Sequence, residues 1–466
     1  MDRYTVAEGS MDCEESKFLK IKEKNRKANL KQLFIGVLTQ VQKFFNINDA
    51  EAGLLQTVFI LFFMIFAPFF GFIGDRYNRK RIMAAGIAIW VIAVFASSFV
   101  PRNCFWLFLL LRGIIGIGEA SYATTAPTII ADIFISVVRG RVLMFFYFAI
   151  PIGSGLGYMV GSFLASVFND WAWGIRLTPI LGIICLFLIM YFIDEPQRGQ
   201  AEKAEGALTA TEIEITSYMD DLKALSKIPT FICATIGYTA VIFAVGTLSW
   251  WAPTAIQHSY AMQKGLNSTN LLDSREKDRI TFVFGVLTMA GGIIGVSLGT
   301  ALSQMLLQGS LCLQRCQTFR ANALICALGS VLGTPFLYLG LHLIEINMTA
   351  SWTFIFFTVT SLCLNWSINV EMLLDVVTPT RRGTANSWQI LISHLLGDAS
   401  GPYIVGLISD LLRHSASGPA ENFRSLITAF YLPNFVLVVS AVFFGLAAVF
   451  FIRDKRIFEK QMGKFK

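Results

Sequence analysis

The sequence contains few charged residues and very few histidines. Only 15% of its 466 residues are charged and four are histidine, whereas 55% are hydrophobic and the mean hydropathy is +0.59. A soluble protein of this length could not bury so much apolar surface, so the composition predicts a protein of the lipid bilayer. The eight cysteines show neither zinc-site spacing nor a secreted disulfide framework. No metal, cofactor or catalytic residue is therefore expected.

A concentrated basic face is also lacking. The formal net charge is +7, but the cations lie in short loops and near the two ends of the chain. That distribution argues against nucleic acid as a partner. It matches the basic loops that hold membrane helices in one orientation, with Lys and Arg enriched on the cytoplasmic side.

Eleven stretches of at least ~17 mostly apolar residues are long enough to cross a bilayer as helices. They lie at 52–74, 82–100, 105–130, 142–168, 173–193, 229–255, 281–306, 321–343, 351–376, 384–411 and 425–452. The sequence therefore predicts an all-α membrane protein made of two helical bundles and their connections. The predicted regions are an atypical N-terminus (1–51), an N-terminal bundle (52–193), a cytoplasmic central loop (194–228), a C-terminal bundle (229–452) and a cytoplasmic tail (453–466).

A short charged turn separates the first two of these spans. Residues 71–81 read GFIGDRYNRKR, and this cluster of cations between two apolar stretches belongs on the cytoplasmic side. Gly71 allows two helices to approach closely, and Asp75 is suited to hold cations or to face a helix N-terminus. The pattern resembles the signature loop between the second and third helices of the major facilitator superfamily. Asn78 takes the place of the usual glycine, and it is expected to adopt a left-handed turn.

A charged pair is repeated in the two halves of the chain. Asp132 lies seven residues before Arg139, and Asp375 lies seven residues before Arg382, each pair at the end of a span. Two similar six-helix halves joined by a cytoplasmic loop are the layout of the major facilitator fold. We expect a cytoplasmic gate in which Asp75 meets the N-terminus of the eleventh helix near Thr384. The predicted gate residues are Gly71, Asp75, Arg76, Arg79, Lys80, Asp132, Arg139, Asp375 and Arg382.

The loops predicted on the opposite side carry two candidate glycosylation sites. Asn267 and Asn347 each begin an Asn-x-Ser/Thr sequon, which requires a position outside the cytoplasm. Both sequons therefore agree with the orientation given by the basic loops.

A twelfth helix is expected before residue 52, and the N-terminal segment does not supply it. Residues 1–7 read MDRYTVA, and the highly charged segment 8–35 separates them from GVL at 36–38. MDRYTVA joined directly to GVL, followed by FFNI at 44–47, resembles the first-helix motif of the Spinster family of facilitators. Further Spinster-like motifs are GDRYNRK (74–80), GIGEASY (116–122), FAIPIGSGLGY (148–158), PTRR (379–382) and SHLLGD (393–398). Residues 8–35 are thus interpreted as an insertion into a truncated first helix.

Two ionisable residues on one predicted helix are the main candidates for coupling. Arg112 and Glu119 are seven residues apart, nearly on one face. Charges inside a bilayer usually pair or face a cavity. An arginine that releases and regains Glu119 would switch the carboxylate's proton affinity, whereas a static pair would only fix helix packing. The resemblance implies proton and substrate roles for both residues and an acidic residue on the first helix, here Asp2.

Three further intramembrane residues remain open between function and packing. His394 and Asp398 lie four residues apart on one helix face, so they can titrate, bind a headgroup or hold neighbouring helices by hydrogen bonds. Glu371 is expected to face the cavity, with Asp375 one turn nearer the gate, together with Arg381 and Arg382.

The Spinster resemblance implies a secondary active transporter that moves an amphipathic lipid, such as a lysophospholipid or a sphingolipid-type cargo. The tail of that lipid would lie among phenylalanines and its phosphate near Arg112. Proton linkage, a monomer in the bilayer and a late endosomal or lysosomal membrane are expected, with the plasma membrane as the other location. Two rivals stay open. A broken first helix would suit a non-transporting sensor or an inactive isoform. A membrane-embedded lipid enzyme using His394 and Asp398 is disfavoured, because no nucleophile elbow or HExxH lies near them.

Overall fold

The computed structural model describes most of the chain after residue 40. The described residues are 41–42, 44–47, 49–153, 160, 164, 167–168, 170–204, 217–309, 317–413 and 418–463. Throughout these ranges the regular structure is helical, without a strand. The predicted all-α class is therefore confirmed. Asp2 and the insertion 8–35 lie outside the described residues.

Sixteen α-helices are described, together with three short helical turns. The α-helices are α1 (Asp49–Gly74), α2 (Arg79–Ser97), α3 (Phe105–Ile133), α4 (Ser136–Tyr147), α5 (Trp171–Phe192), α6 (Gln200–Ala204), α7 (Tyr218–Leu225), α8 (Pro229–Gln263), α9 (Ser274–Gln308), α10 (Ala321–His342), α11 (Met348–Cys363), α12 (Asn365–Leu374), α13 (Arg382–Ser393), α14 (Gly401–Leu412), α15 (Pro419–Ala429) and α16 (Tyr431–Gln461). The short turns are 3-10 helices at Thr269–Leu271 and Pro379–Arg381 and a π-helical turn at His394–Asp398.

Ten helical segments in the described ranges are long and apolar enough to cross a membrane. They overlap ten of the eleven predicted spans. The other, 142–168, is described only in part, through α4 and the residues up to 153. On α5, large apolar side chains such as Phe187 and Phe192 are exposed, as expected for a helix of about 33 Å that faces lipid.

The helices form an N-terminal and a C-terminal bundle. In the first, α3 packs against α1 and α2, and α2 also packs against α5; in the second, α8 and α10 pack against α16, and α11 packs against α9 and α10. The bundles meet where α1 packs on α13 and where α4 packs on α9 and α12. We call the end of the molecule formed by 75–81, 132–141, 195–204 and 375–384 the basic end, and the other end the opposite end.

The turn before α2 differs from the sequence-based expectation. Asn78 has φ −67° and ψ 110°, and its side chain accepts a hydrogen bond of 2.9 Å from the N–H of Arg81. The left-handed turn predicted for Asn78 is wrong, because asparagine here serves as the N-cap of α2. The cap also explains why α2 begins at Arg79 rather than near residue 82.

The described residues before α1 pack into the N-terminal bundle. Val41 and Phe45 are buried with Phe108 and Trp171, and the ring centroids of Phe45 and Phe108 are 5.0 Å apart. Phe108 lies in the first turn of α3 and Trp171 begins α5, so this cluster lies at the opposite end. The FFNI segment of the Spinster-like motif thus contributes to the hydrophobic core of the N-terminal bundle at its opposite end.

Candidate functional site

Asp75 joins the two bundles at the basic end. Its Oδ1 accepts a 2.7 Å hydrogen bond from the N–H of Gly383, and its Oδ2 accepts 2.7 Å bonds from the N–H and hydroxyl of Thr384. These donors lie in the first turn of α13, where backbone N–H groups lack intrahelical partners and favour an anion. The structure thus contains the contact with Thr384 that the sequence predicts.

Gly71 brings α1 into direct contact with α13. A Cβ on Gly71 would overlap the side chain of Ser387 and lie 2.5 Å from the carbonyl oxygen of Gly383. No real Cβ approaches a carbonyl so closely, so only glycine fits while the bundles are this close. The close approach expected at Gly71 is present.

Asp132 is the centre of a buried ion cluster. Arg79 Nη1 lies 2.5 Å from its Oδ2 and Arg382 Nη1 lies 3.3 Å from its Oδ1. All three side chains are at most 2% exposed. Asp132 and Arg79 belong to the N-terminal bundle, whereas Arg382 begins α13 in the C-terminal bundle. Breaking such a buried pair by removing one partner typically costs about 3–5 kcal/mol.

The second copy of the repeated pair forms the reciprocal bridge. Arg139 Nη2 lies 2.6 Å from Asp375 Oδ1, and Lys455 Nζ lies 3.6 Å from Asp375 Oδ2. Each aspartate of the repeat therefore pairs with the arginine of the other half rather than with its own. Arg381, which the sequence groups with Asp375 and Arg382, binds Asp221 at 2.9 Å.

Glu371 lies beside this bridge. A Cβ on Gly140 would lie 2.6 Å from Glu371 Oε2, which places the carboxylate against the residue after Arg139. Its place in α12 is one turn from the basic end. The cavity position expected for Glu371 stays a prediction.

Residues of the central loop complete the cluster, and sequence analysis missed them. Glu195 binds Arg79 Nε at 3.0 Å and the backbone N–H of Lys80 at 2.8 Å. Glu202 binds Arg382 Nη2 at 2.5 Å. Asp221 binds Arg76 at 2.8 Å. In the sequence, these residues are visible only as the mixed charges of the central loop, and that pattern does not reveal which residues they contact.

Lys80 contributes through its backbone rather than its charge. Its ammonium group makes no ion pair within the described part of the chain, whereas its N–H binds Glu195. The predicted gate cations thus divide into arginines with buried carboxylate partners and a lysine without one.

The acidic groups of the basic end differ in how they titrate. Burial raises the pKa of Asp75 to about 7, against the hydrogen bonds from Thr384 and Gly383 and the nearby charge of Arg198. Burial alone would also raise the pKa of Glu202, but Arg382 brings it below its usual value. Burial would likewise raise the pKa of Asp375, but the charges of Lys455 and Arg139 bring it below its usual value. Asp75 is thus the group of these three that changes protonation near neutral pH.

Arg112 and Glu119 line one cavity of about 420 Å³. Its other polar walls include Gln56, Ser97 and Thr178. The lining residues come from Val41 and from α1, α2, α3 and α5, mostly from their segments nearer the opposite end. The cavity expected around Arg112 is therefore present, with described walls from the N-terminal bundle alone.

No ion pair joins Arg112 to Glu119 in the described structure. The Arg112 guanidinium lies 5.7 Å from the ring centroid of Phe108, and its buried Nε has no hydrogen-bond partner. Glu119 is hydrogen-bonded to Tyr122 and lies within electrostatic reach of His394. The static Arg112–Glu119 pair considered from the sequence is not formed here.

His394 and Asp398 bind each other at the interface of the bundles. His394 Nδ1 lies 3.0 and 2.9 Å from the two carboxylate oxygens of Asp398. The His394 ring packs edge-on against Phe63 of α1 with centroids 5.6 Å apart. Asp398 packs against Gly246 of α8, and a Cβ on Gly246 would lie 2.6 Å from the Cβ of Asp398. The i, i+4 pairing expected from the sequence is present inside a π-helical turn.

A second, largely apolar cavity of about 510 Å³ lies between the bundles. Ile150 and Pro151 of the N-terminal half face α8, α9 and α11, with Phe282, Met289 and Leu362 among the lining side chains. Of these two cavities in the described part of the chain, the first has charged walls and the second has largely apolar walls.

Both predicted glycosylation sites are exposed at the opposite end. The end of α8 and the loop before α11 are joined by a 3.4 Å hydrogen bond from Gln263 Nε2 to the carbonyl oxygen of Glu345. Asn347 Oδ1 also caps α11 through the N–H of Ala350. Within the described residues, no group of three or more His, Cys, Asp or Glu side chains is arranged to hold a metal ion.

Comparison with known sequences gives the family. Residues 30–402 match the model of the Major Facilitator Superfamily. Protein spinster homolog 1 of Rattus norvegicus is 44% identical over 422 residues, covering 90% of this chain and 78% of that protein. The Homo sapiens homolog 1 is 42% identical over 422 residues, with the same coverage. Protein spinster of Drosophila melanogaster is 45% identical over 388 residues, covering 83% of this chain and 60% of that protein.

Solved structures agree on the fold. A bacterial homolog to the human lysosomal transporter Spinster, in an inward-facing and unoccupied conformation, superposes with a TM-score of 0.52 at 19% identity, covering 93% of this chain and 95% of that one. The human organic anion transporter MFSD10 gives a TM-score of 0.58 at 14% identity, with 86% and 88% coverage. The chain therefore belongs to the Spinster family of the major facilitator superfamily and is an integral, multi-pass membrane transporter.

Proposed function

We propose that the protein is a secondary active transporter that moves an amphipathic lipid, of the lysophospholipid or sphingolipid type, by alternating access linked to protons. One observation carries this proposal. The reciprocal bridges Asp132–Arg382 and Arg139–Asp375 hold the two bundles together at the basic end, while the cavity of Arg112 and Glu119 lies toward the opposite end. A substrate chamber closed on one side is the arrangement that alternating access requires.

The two cavities support an amphipathic cargo. Arg112 has a buried Nε without a partner, and a guanidinium is suited to bind a phosphate. The apolar cavity between the bundles would receive a hydrocarbon tail. Glu119 has no arginine partner in the described structure, which supports the proposal that it carries the proton.

The proposed orientation places the basic end and the loop 194–228 in the cytoplasm, with the protein acting as a monomer. A late endosomal or lysosomal membrane is the proposed location, because the solved bacterial relative is a homolog of a human lysosomal transporter. Fluorescence imaging of the tagged full chain beside lysosomal and plasma-membrane markers tests that location.

Uptake into proteoliposomes tests the function. With a labelled lysophospholipid or sphingoid phosphate and an imposed pH gradient, we expect uptake by the full chain that depends on the gradient. Glu119→Gln should abolish the dependence on the gradient, whereas Glu345→Gln, an exposed loop control, should not. If Glu119→Gln keeps the pH dependence of the wild type, Glu119 does not carry the proton.

One sequence feature favours the rival of an inactive or sensing form, namely the insertion 8–35 within the first-helix motif. A chain lacking residues 8–35 should be assayed in parallel. Uptake only by the shortened chain would show that the full chain is an inactive form. Chemical turnover of the lipid without its movement would instead support a membrane-embedded enzyme.

A further inference from the structure

The short helix α7 of the central loop lies across the basic end and contacts both bundles. Its Asp221 is 2% exposed and uses both carboxylate oxygens. Oδ2 accepts a 2.8 Å hydrogen bond from Arg76, two residues after α1, and Oδ1 accepts a 2.9 Å hydrogen bond from Arg381, directly before α13. One carboxylate thus joins an arginine of the N-terminal bundle to an arginine of the C-terminal bundle.

Tyr218, one turn earlier, makes a second bridge. Its hydroxyl accepts a 2.8 Å hydrogen bond from Trp388 Nε1 of α13, and its ring packs edge-on against Phe72 of α1 with centroids 4.9 Å apart. The Arg76 guanidinium lies 3.9 Å from the centroid of the same Phe72 ring. At the end of α7, Leu225 is 2% exposed and packs in the core of the C-terminal bundle.

We propose that α7 is a strap that fixes the closed arrangement of the basic end, with Asp221 and Tyr218 as its positioning residues. This inference rests on the proposed alternating access. A loop that only connects the two bundles needs enough residues to span the distance between them, and it would not need to bind both. The carboxylate of Asp221 and the aromatic ring of Tyr218 each contact both bundles, so the closed state depends on the docked helix.

The geometry also sets what must happen when the basic end opens. Arg76 and Arg381 move apart with their bundles, so Asp221 loses at least one of these two partners. Because Asp221 is buried between them, that loss is expensive and favours closure. Opening therefore requires α7 to leave at least one bundle and expose Asp221 to water.

Distance measurements between spin labels test the strap on the full chain. The exposed residues Arg81 of α2 and Arg456 of α16 lie on different bundles at the basic end, and Arg81→Cys with Arg456→Cys in a cysteine-free background provides the label sites. For Asp221→Asn we expect the open, long-distance population to rise about tenfold, a discounted value because Arg76 and Arg381 are partly exposed. Asp220→Asn removes the same charge from an exposed neighbour and should leave the distances unchanged.

Further variants separate a bridge from a general loss of structure. Asp221→Glu should restore most of the closed population. Arg381→Gln combined with Asp221→Asn should open the basic end no further than Asp221→Asn alone, because Asp221→Asn already removes the carboxylate that Arg381 binds. Equal distance distributions for Asp221→Asn and Asp220→Asn would overturn the proposal, as would an unrescued opening in Asp221→Glu.

The strap and the proposed function fail separately. If Asp221→Asn lengthens the spin-label distances as expected but the wild type takes up no lipid, the proposed cargo is contradicted and the strap is supported. Lipid uptake with distances that ignore Asp221→Asn would contradict the strap and leave the transporter supported.

Discussion

The carboxylate of Asp75 is subject to opposing effects. Three hydrogen-bond donors from Gly383 and Thr384 and the charge of Arg198 favour the ionised form, whereas burial favours the protonated one. Burial dominates and raises its pKa to about 7 from the ordinary 3.8. The Thr384 hydroxyl can reverse its role and accept the proton of the neutral acid, so both forms fit the site.

The pH dependence of closure follows from this pKa. In an open state Asp75 meets water and holds a proton only below its ordinary 3.8, whereas in the closed state it holds one up to about pH 7. Closing therefore takes up a proton between these values. The closed state is favoured most at low pH and loses that advantage as the pH rises through about 7, by at most about tenfold per pH unit.

Spin-label distances between positions 81 and 456, measured from pH 5 to 8, check this prediction. The open fraction should grow toward pH 7 and then level off, and Asp75→Asn should flatten the curve. A wild-type distribution that is independent of pH would contradict the role given to Asp75.

For a single residue, the sequence predicts a binding partner where that partner follows from a general rule. The contact of Asp75 with the N-terminus of α13 is predictable because helix N-termini attract anions. The left-handed turn predicted for Asn78 is wrong, because asparagine serves both left-handed turns and N-caps, and only the backbone dihedrals distinguish them. The apolar flanks of Glu371 do not reveal which neighbour this buried acid meets.

At the scale of elements, α1 and α13 form a tight contact between the two bundles. The two helices touch through Gly71, Gly383 and Ser387 without room for another side chain. The absence of a side chain at Gly71 lets α13 come close enough for Asp75 to bind its N-terminus. The hydrogen bonds of Asp75 therefore depend on the steric fit of the two helices.

Gly71→Ala should hold the basic end open. Its methyl group would collide with the backbone of α13, and overpacking of this kind costs about 1–3 kcal/mol. The spin-label distances should lengthen and the uptake of lipid should slow. Gly445→Ala on α16, where a Cβ meets nothing within 4 Å, is the matched control and should behave like the wild type. Closure at the normal distance in Gly71→Ala would contradict this account.

The apolar runs predicted the membrane helices well, because the bilayer sets both their composition and their length. Their interruptions were not predictable. The span near 351–376 divides at Leu364 into α11 and α12, and the span near 384–411 contains the π-helical turn His394–Asp398. Such breaks depend on neighbouring helices, here Gly246 of α8 against Asp398.

On the scale of the whole molecule, the basic end is a three-part assembly of two bundles and their connecting loop. The repeat in the sequence indicated that Asp132, Arg139, Asp375 and Arg382 were related, and the fold exchanges their partners between the halves. Glu195, Glu202 and Asp221 could not be assigned from the sequence, because the position of a polar loop is set by the closed bundles and not by local pattern.

Accessibility of the Arg112 cavity tests the central claim most directly. A single cysteine at Thr178, which lines that cavity, is introduced into a cysteine-free chain and labelled with a membrane-impermeant maleimide from each side of sealed vesicles. We predict labelling from the opposite end in the closed state and increased labelling from the basic end when Gly71→Ala is added. A cysteine that reacts from neither side, or from the same side in both chains, would contradict alternating access around Arg112.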